Sequence, residues 1–154
     1  AGILSKDFGG ITNVDADKKF TLFAPSNAVI IAAQIANILP KTGAQGTTTM
    51  TDPLKARLKK YLSYFFIRDK QIVTDGKITG TLNTSLEDAT SVPNAPVYIP
   101  ASITFPGSIL TFNEIGGTGT QGKVVMTDPL NIPQNTIASD GIIHIIDNAF
   151  TSKY

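Results

Sequence analysis

The sequence predicts an α+β fold, with helices early in the chain and short, mostly antiparallel strands late. Three observations carry this expectation. Residues 28–39 and 54–65 place apolar side chains at helical spacing or all round. After Phe65 the period changes to that of strands, and short runs alternate with the turn pairs Asp75-Gly76, Pro93-Asn94, Pro106-Gly107 and Gly116-Gly117. Near the end, Ile142, Ile143, His144, Ile145 and Ile146 form a β-branched run apolar on both faces, which reads as a strand buried on both sides. Asp140-Gly141 before it is turn chemistry, with glycine supplying the positive φ of a tight reversal.

Taken in order, residues 1–19 form a short lead-in. Its Asn13, Asp15 and Asp17 have the spacing of a calcium loop, but Lys18 stands where the turn glycine belongs and no closing glutamate follows, so the segment reads as a polar turn. Residues 20–24 are a strand ended by Pro25, after which Ser26 or Asn27 caps a helix by satisfying free backbone N–H groups. That helix is expected to run over residues 28–39 until Pro40 stops it. It lacks a polar face, so it needs cover on most sides. Residues 41–51 are a Thr/Gly-rich loop. Asp52-Pro53 opens a second helix whose stripe is Leu54, Leu58, Tyr61, Leu62 and Phe65, with Lys55, Arg57, Lys59 and Lys60 on its other side. Together with Arg68 and Lys70 these cations read as a solvated face.

Strands are then expected at residues 65–67, 71–73, 77–82, 96–99, 103–105, 109–115 and 123–127. Ile137-Ala138 leads into the last one. The pentapeptide Met-Thr-Asp-Pro-Leu occurs at residues 50–54 and again at 126–130. The flanks do not match, so it reads as a reused turn or cap and not a domain repeat.

Composition narrows the function. A chain of 154 residues forms one domain with a proper core, here taken as residues 1–154. Its net charge of +1 argues against nucleic acid, which needs concentrated Lys and Arg. No cysteine is present, so disulfides and thiolate metal sites are excluded, and a single histidine leaves little for zinc. No cofactor is expected. His144 is the one candidate catalytic base, yet it lies within a strand and no Gly-x-Ser-x-Gly elbow accompanies it, so it reads as a hydrogen-bonded core histidine. The Gly-rich stretch 116–122 reads as a hairpin tip, and Glu87-Asp88 lacks the spacing of a glycosidase pair. Asn83-Thr84-Ser85 fits the N-glycosylation acceptor pattern.

Two stretches carry a family resemblance. Phe20, Thr21, Leu22, Phe23, Ala24, Pro25, Ser26 and Asn27, running on to Ile30, resemble the first signature box of the fasciclin-like (FAS1) domain. Residues 138–150, with Asp140, Gly141, His144, Ile146 and Asp147, resemble its second box. Residues 62–67 lie where that family has a Tyr-His segment, with Tyr64 matching the tyrosine and Phe65 standing in place of the histidine. The resemblance implies a FAS1-like wedge or sandwich of strands with helices packed against it, here with a shortened helical lead-in. Asn27, His144 and Asp147 are then box residues with structural roles, Asn27 and His144 pinning the boxes by hydrogen bonds.

It further implies a secreted or cell-surface, non-catalytic adhesion module that binds an extracellular protein or polysaccharide. Any membrane attachment would come only through an anchor outside this chain. Tyr64, Phe65, Leu62 and Ile67 are the candidate partner-binding residues, though aromatics at a helix–strand junction more often belong to a core. The other expectation is a structural subunit of an extracellular assembly, its incomplete core completed by a neighbouring chain; self-association is a separate partner expectation.

Overall fold

A computed structural model describes residues 19–41, 46, 49, 51–115, 121–123, 136–137 and 141–147. The calcium-like spacing at Asn13, Asp15 and Asp17, the Gly116-Gly117 turn, the second pentapeptide and most of the loop at 41–51 lie outside the described residues.

Among the described residues, eight strands form one sheet in the order β6-β5-β4-β3-β2-β1-β8-β7. They are β1 (Phe20–Pro25), β2 (Phe66–Arg68), β3 (Gly80–Glu87), β4 (Tyr98–Thr104), β5 (Thr111–Glu114), β6 (Gln121–Lys123), β7 (Thr136–Ile137) and β8 (Gly141–Ile146). Two helices, α1 (Asn27–Ile35) and α2 (Asp52–Tyr64), precede the strand-rich part. All pairings are antiparallel except one: β1 and β8 run parallel, in register from Phe20 opposite Gly141 to Pro25 opposite Ile146. The two signature boxes are therefore neighbours, on the sixth and seventh strands of the sheet.

Strand alternation decides what enters the core. On β1, Thr21 and Phe23 are buried; on β8, Ile142, His144 and Ile146 are buried while Ile143 and Ile145 are half-buried. Phe23, Tyr61, Tyr64, Phe65 and Phe112 form an aromatic cluster at the centre. Phe112 sits 4.9 Å from Phe23, 5.6 Å from Tyr64 and 6.0 Å from Phe65, tilted or edge-on as ring quadrupoles favour.

α1 starts as expected and ends earlier. Ser26 is its cap, accepting the Val29 N–H at 3.4 Å, and the Asn27 side chain is exposed. The helix stops at Ile35 and does not run to Leu39, because Asn37 takes the left-handed conformation (φ 56°). The Ile38 N–H returns to the Ala33 carbonyl and the Asn37 N–H to that of Gln34, which closes the carbonyl end of the helix. Gln34, one of two polar residues inside the apolar run, is buried and donates to the Pro40 carbonyl at 2.9 Å. Leu39 thereby folds back into the core.

α2 opens at Asp52 with Pro53 in its first turn, and Lys55 pairs with Asp52 at 3.2 Å. Its end is buried on several sides, by Tyr61, Ser63 and Tyr64.

The strand expectations need three corrections. Residues 71–73 are not a strand, although Ile72 is fully buried. The expected strand at 77–82 lies three to five residues later, as β3. The two runs at 96–99 and 103–105 are one strand, β4, which passes through Pro100. Pro100 lies opposite Asn83, where a β-bulge begins, so the missing proline N–H falls where the ladder is already broken. There Thr84 donates its hydroxyl to the Ile99 carbonyl at 2.6 Å and accepts the Leu86 N–H at 3.2 Å.

Candidate functional site

The two boxes meet over residues 70–72, and a pair of buried polar side chains holds them there. Thr21 donates its hydroxyl to the Lys70 carbonyl at 2.8 Å and accepts the Ile72 N–H at 2.9 Å. His144 lies on the neighbouring parallel strand opposite Phe23, two residues beyond the Thr21 position. Its Nε2 is 2.7 Å from the Ile72 carbonyl; a carbonyl only accepts, so Nε2 carries the proton. Both side chains are fully buried. Three backbone groups of a segment without a strand ladder are thus satisfied from β1 and β8.

Burial holds the His144 imidazole below its ordinary pKa, against the opposing pull of the Ile72 carbonyl. The ring is neutral at pH 7, 5.3 Å from the Phe23 ring, and Nδ1 has no hydrogen-bond partner among the described residues. A neutral, fully buried ring cannot take a proton from a substrate without the core opening. The site pins the fold.

The segment at 62–67 is also interior. Tyr64, Phe65 and Ile67 are fully buried, and Leu62 alone keeps some surface. Tyr61 is pushed up to about 12 by burial. Tyr64 is raised by burial and then by the nearby Glu114 carboxylate, while a hydrogen bond with the Ile115 backbone opposes the rise. Both phenols stay protonated at any physiological pH. A partner reaches only Leu62 here unless the core is disturbed. Asn27 opens α1 with its side chain in solvent, and Asp147 is exposed just past β8.

The surface offers a different feature. On α1, Ala28, Ile31, Ala32, Ile35 and Ala36 are exposed, Ile31 by 40% and Ile35 by 65%. The face continues toward a cleft of about 260 Å³ between the end of α1 and the start of α2, lined by Ile38, Leu54, Lys41 and Arg57 among others. Exposed aliphatics next to cations would bind an apolar or amphipathic surface.

Sequence reasoning marked the α1 run as short of cover but missed Thr21. The signal was present, since Thr21 shares the inward phase of Phe23 on the strand. Among the described residues no group of His, Asp and Glu could hold a metal ion, and no helix is long and apolar enough to cross a membrane.

The family comparison agrees with this geometry. The chain resembles, at 16% identity and a TM-score of 0.50, a solved FAS1 domain pair from the insect cell adhesion molecule Fasciclin I. The match covers 98% of this chain and 41% of that one, so this chain spans less than half of the domain pair. No curated protein sequence matches. A family model described as the Fasciclin domain matches residues 4–152, nearly the whole chain. The chain belongs to the Fasciclin (FAS1) family, a family of cell-adhesion modules.

Proposed function

We propose that the chain is a non-catalytic adhesion module, working outside the cell or at its surface by binding a protein or polysaccharide partner. Membership of a family of adhesion modules is the observation that carries this reading. The burial of His144, Tyr61 and Tyr64 supports it, because the groups best suited to acid–base chemistry are built into the core. The contact surface is then the exposed α1 face with its adjoining cleft, and in segment 62–67 Leu62 alone is half-buried and reachable without rearrangement.

The test is attachment of cells and of isolated glycans to the immobilised folded domain, with a heat-unfolded sample as control. Saturable attachment that requires the fold is the expected result. Equal attachment by folded and unfolded protein, or none at all, overturns the reading.

A second reading is favoured by one observation, that Ile31 and Ile35 are left exposed among the described residues. In it the chain is a structural subunit of an extracellular assembly, and a neighbouring chain covers α1.

A further inference from the structure

We propose that the neighbour covering α1 is a second copy of this chain, the two α1 helices packing antiparallel about a twofold axis. The inference rests on the assembly reading and names its partner.

Shape is the first argument. On the exposed side of α1, Ala28, Ala32 and Ala36 form one row four residues apart, and Ile31 and Ile35 form the row beside it. The first row is a shallow groove and the second a ridge. Helices pack by setting such ridges into such grooves. A twofold axis places each isoleucine ridge in the other copy's alanine groove, which is the self-complementarity an isologous contact requires.

Charge is the second argument. No residue of α1 is ionisable, so two copies meet without like-charge repulsion along the helix. The two ends of the face differ in sign. At the N-terminal end the Ser26 N–H donates to the Ile146 carbonyl at 3.0 Å, which brings the exposed Asp147 beside the start of α1. At the C-terminal end the cleft carries Lys41 and Arg57. Antiparallel packing sets the acidic end of one copy against the basic end of the other, and the helix dipoles also oppose. A heterologous partner would have to reproduce both the ridge spacing and this polarity, whereas a second copy supplies both.

Size sets the strength. A single helix pair is at the low end of specific interfaces, so association is weak, with Kd on the order of 10–100 μM.

The experiment is sedimentation equilibrium of the chain from about 1 μM to 1 mM, a range set to bracket that affinity. The expected result is a monomer–dimer equilibrium. Ile35→Glu, at a largely exposed site, lowers the association constant at least tenfold while the thermal unfolding curve stays within that of the wild type. Asp147→Lys and Arg57→Glu each weaken association, and the two together restore it, because the new charges again oppose across the twofold. A monomer throughout overturns the proposal, as does a dimer indifferent to Ile35→Glu or a charge-swapped pair no better than its single variants. A wild-type monomer whose attachment to cells is lost on Ile35→Glu also overturns it, and assigns the α1 face to the adhesion reading instead.

Discussion

At the scale of single residues, Gly141 shows how a correct placement can have the wrong reason. Turn chemistry predicts a positive φ there, but the residues with that conformation are others, among them Gly76 and Gly107. Gly141 is the first residue of β8, and a Cβ on it would come within 2.5 Å of the Phe20 ring. That ring lies across it from the adjacent parallel strand, with its centroid 5.9 Å from that of Phe66. Gly141→Ala therefore drives Phe20 from its seat, and the expected cost is about 1–3 kcal/mol, the range for overpacking. A denaturant midpoint equal to that of the wild type would refute this account.

His144 gives a prediction with a sign. Its folded pKa lies below the ordinary value of 6.5, so below that pH the unfolded chain binds the extra proton first. The stabilisation is complete above pH 6.5 and is lost as the pH falls through the folded value. Stability should decline by up to about 1.4 kcal/mol per pH unit within that window. His144→Gln retains a donor for the Ile72 carbonyl but has no proton to gain. Urea midpoints between pH 7 and 5 should fall in the wild type and stay flat in the variant. Parallel curves would assign the acid sensitivity to other groups.

At the scale of elements, what was legible followed from side-chain period, and what was not followed from polar groups replacing ladder bonds. β1, α2 and β8 were readable because their apolar spacing coincides with their burial. β3 was displaced in the reading because Asn83, Thr84 and Ser85 look like a loop. In the fold the Thr84 hydroxyl fills the gap at the bulge, and the strand continues to Glu87. Residues 71–73 look like a strand yet are held from the side by Thr21 and His144, a long-range arrangement that no local pattern encodes. The length of α1 was overestimated because apolar residues continue past Asn37, and the left-handed turn there outweighs the absence of an earlier proline or glycine. For the candidate surface, the apolar run announced that cover was lacking. Which face lacked it became visible only once Val29, Ala33 and Gln34 were seen to face inward.

At the scale of the whole molecule, the parallel pairing of β1 with β8 also decides how the domain bears load. Tension arriving through the flanking chain pulls β1 toward its beginning and β8 toward its end. Because the strands are parallel neighbours, those pulls are opposed along one shared ladder, and its rungs are strained together in shear. An antiparallel pair pulled at one end peels one rung at a time. The chain has no cysteine of its own, so paired cysteine handles can be placed uniquely. In single-molecule stretching, handles at Lys19→Cys and Asp147→Cys should give a markedly higher rupture force than handles at Thr81→Cys and Ser102→Cys, which face each other on β3 and β4. Equal forces would show that the β1–β8 ladder is no mechanical clamp. A module anchored through both ends of its chain would then yield only when all of these rungs fail at once, so a steady tug would be carried by this one parallel ladder and not by the antiparallel hairpins on the far side of the sheet.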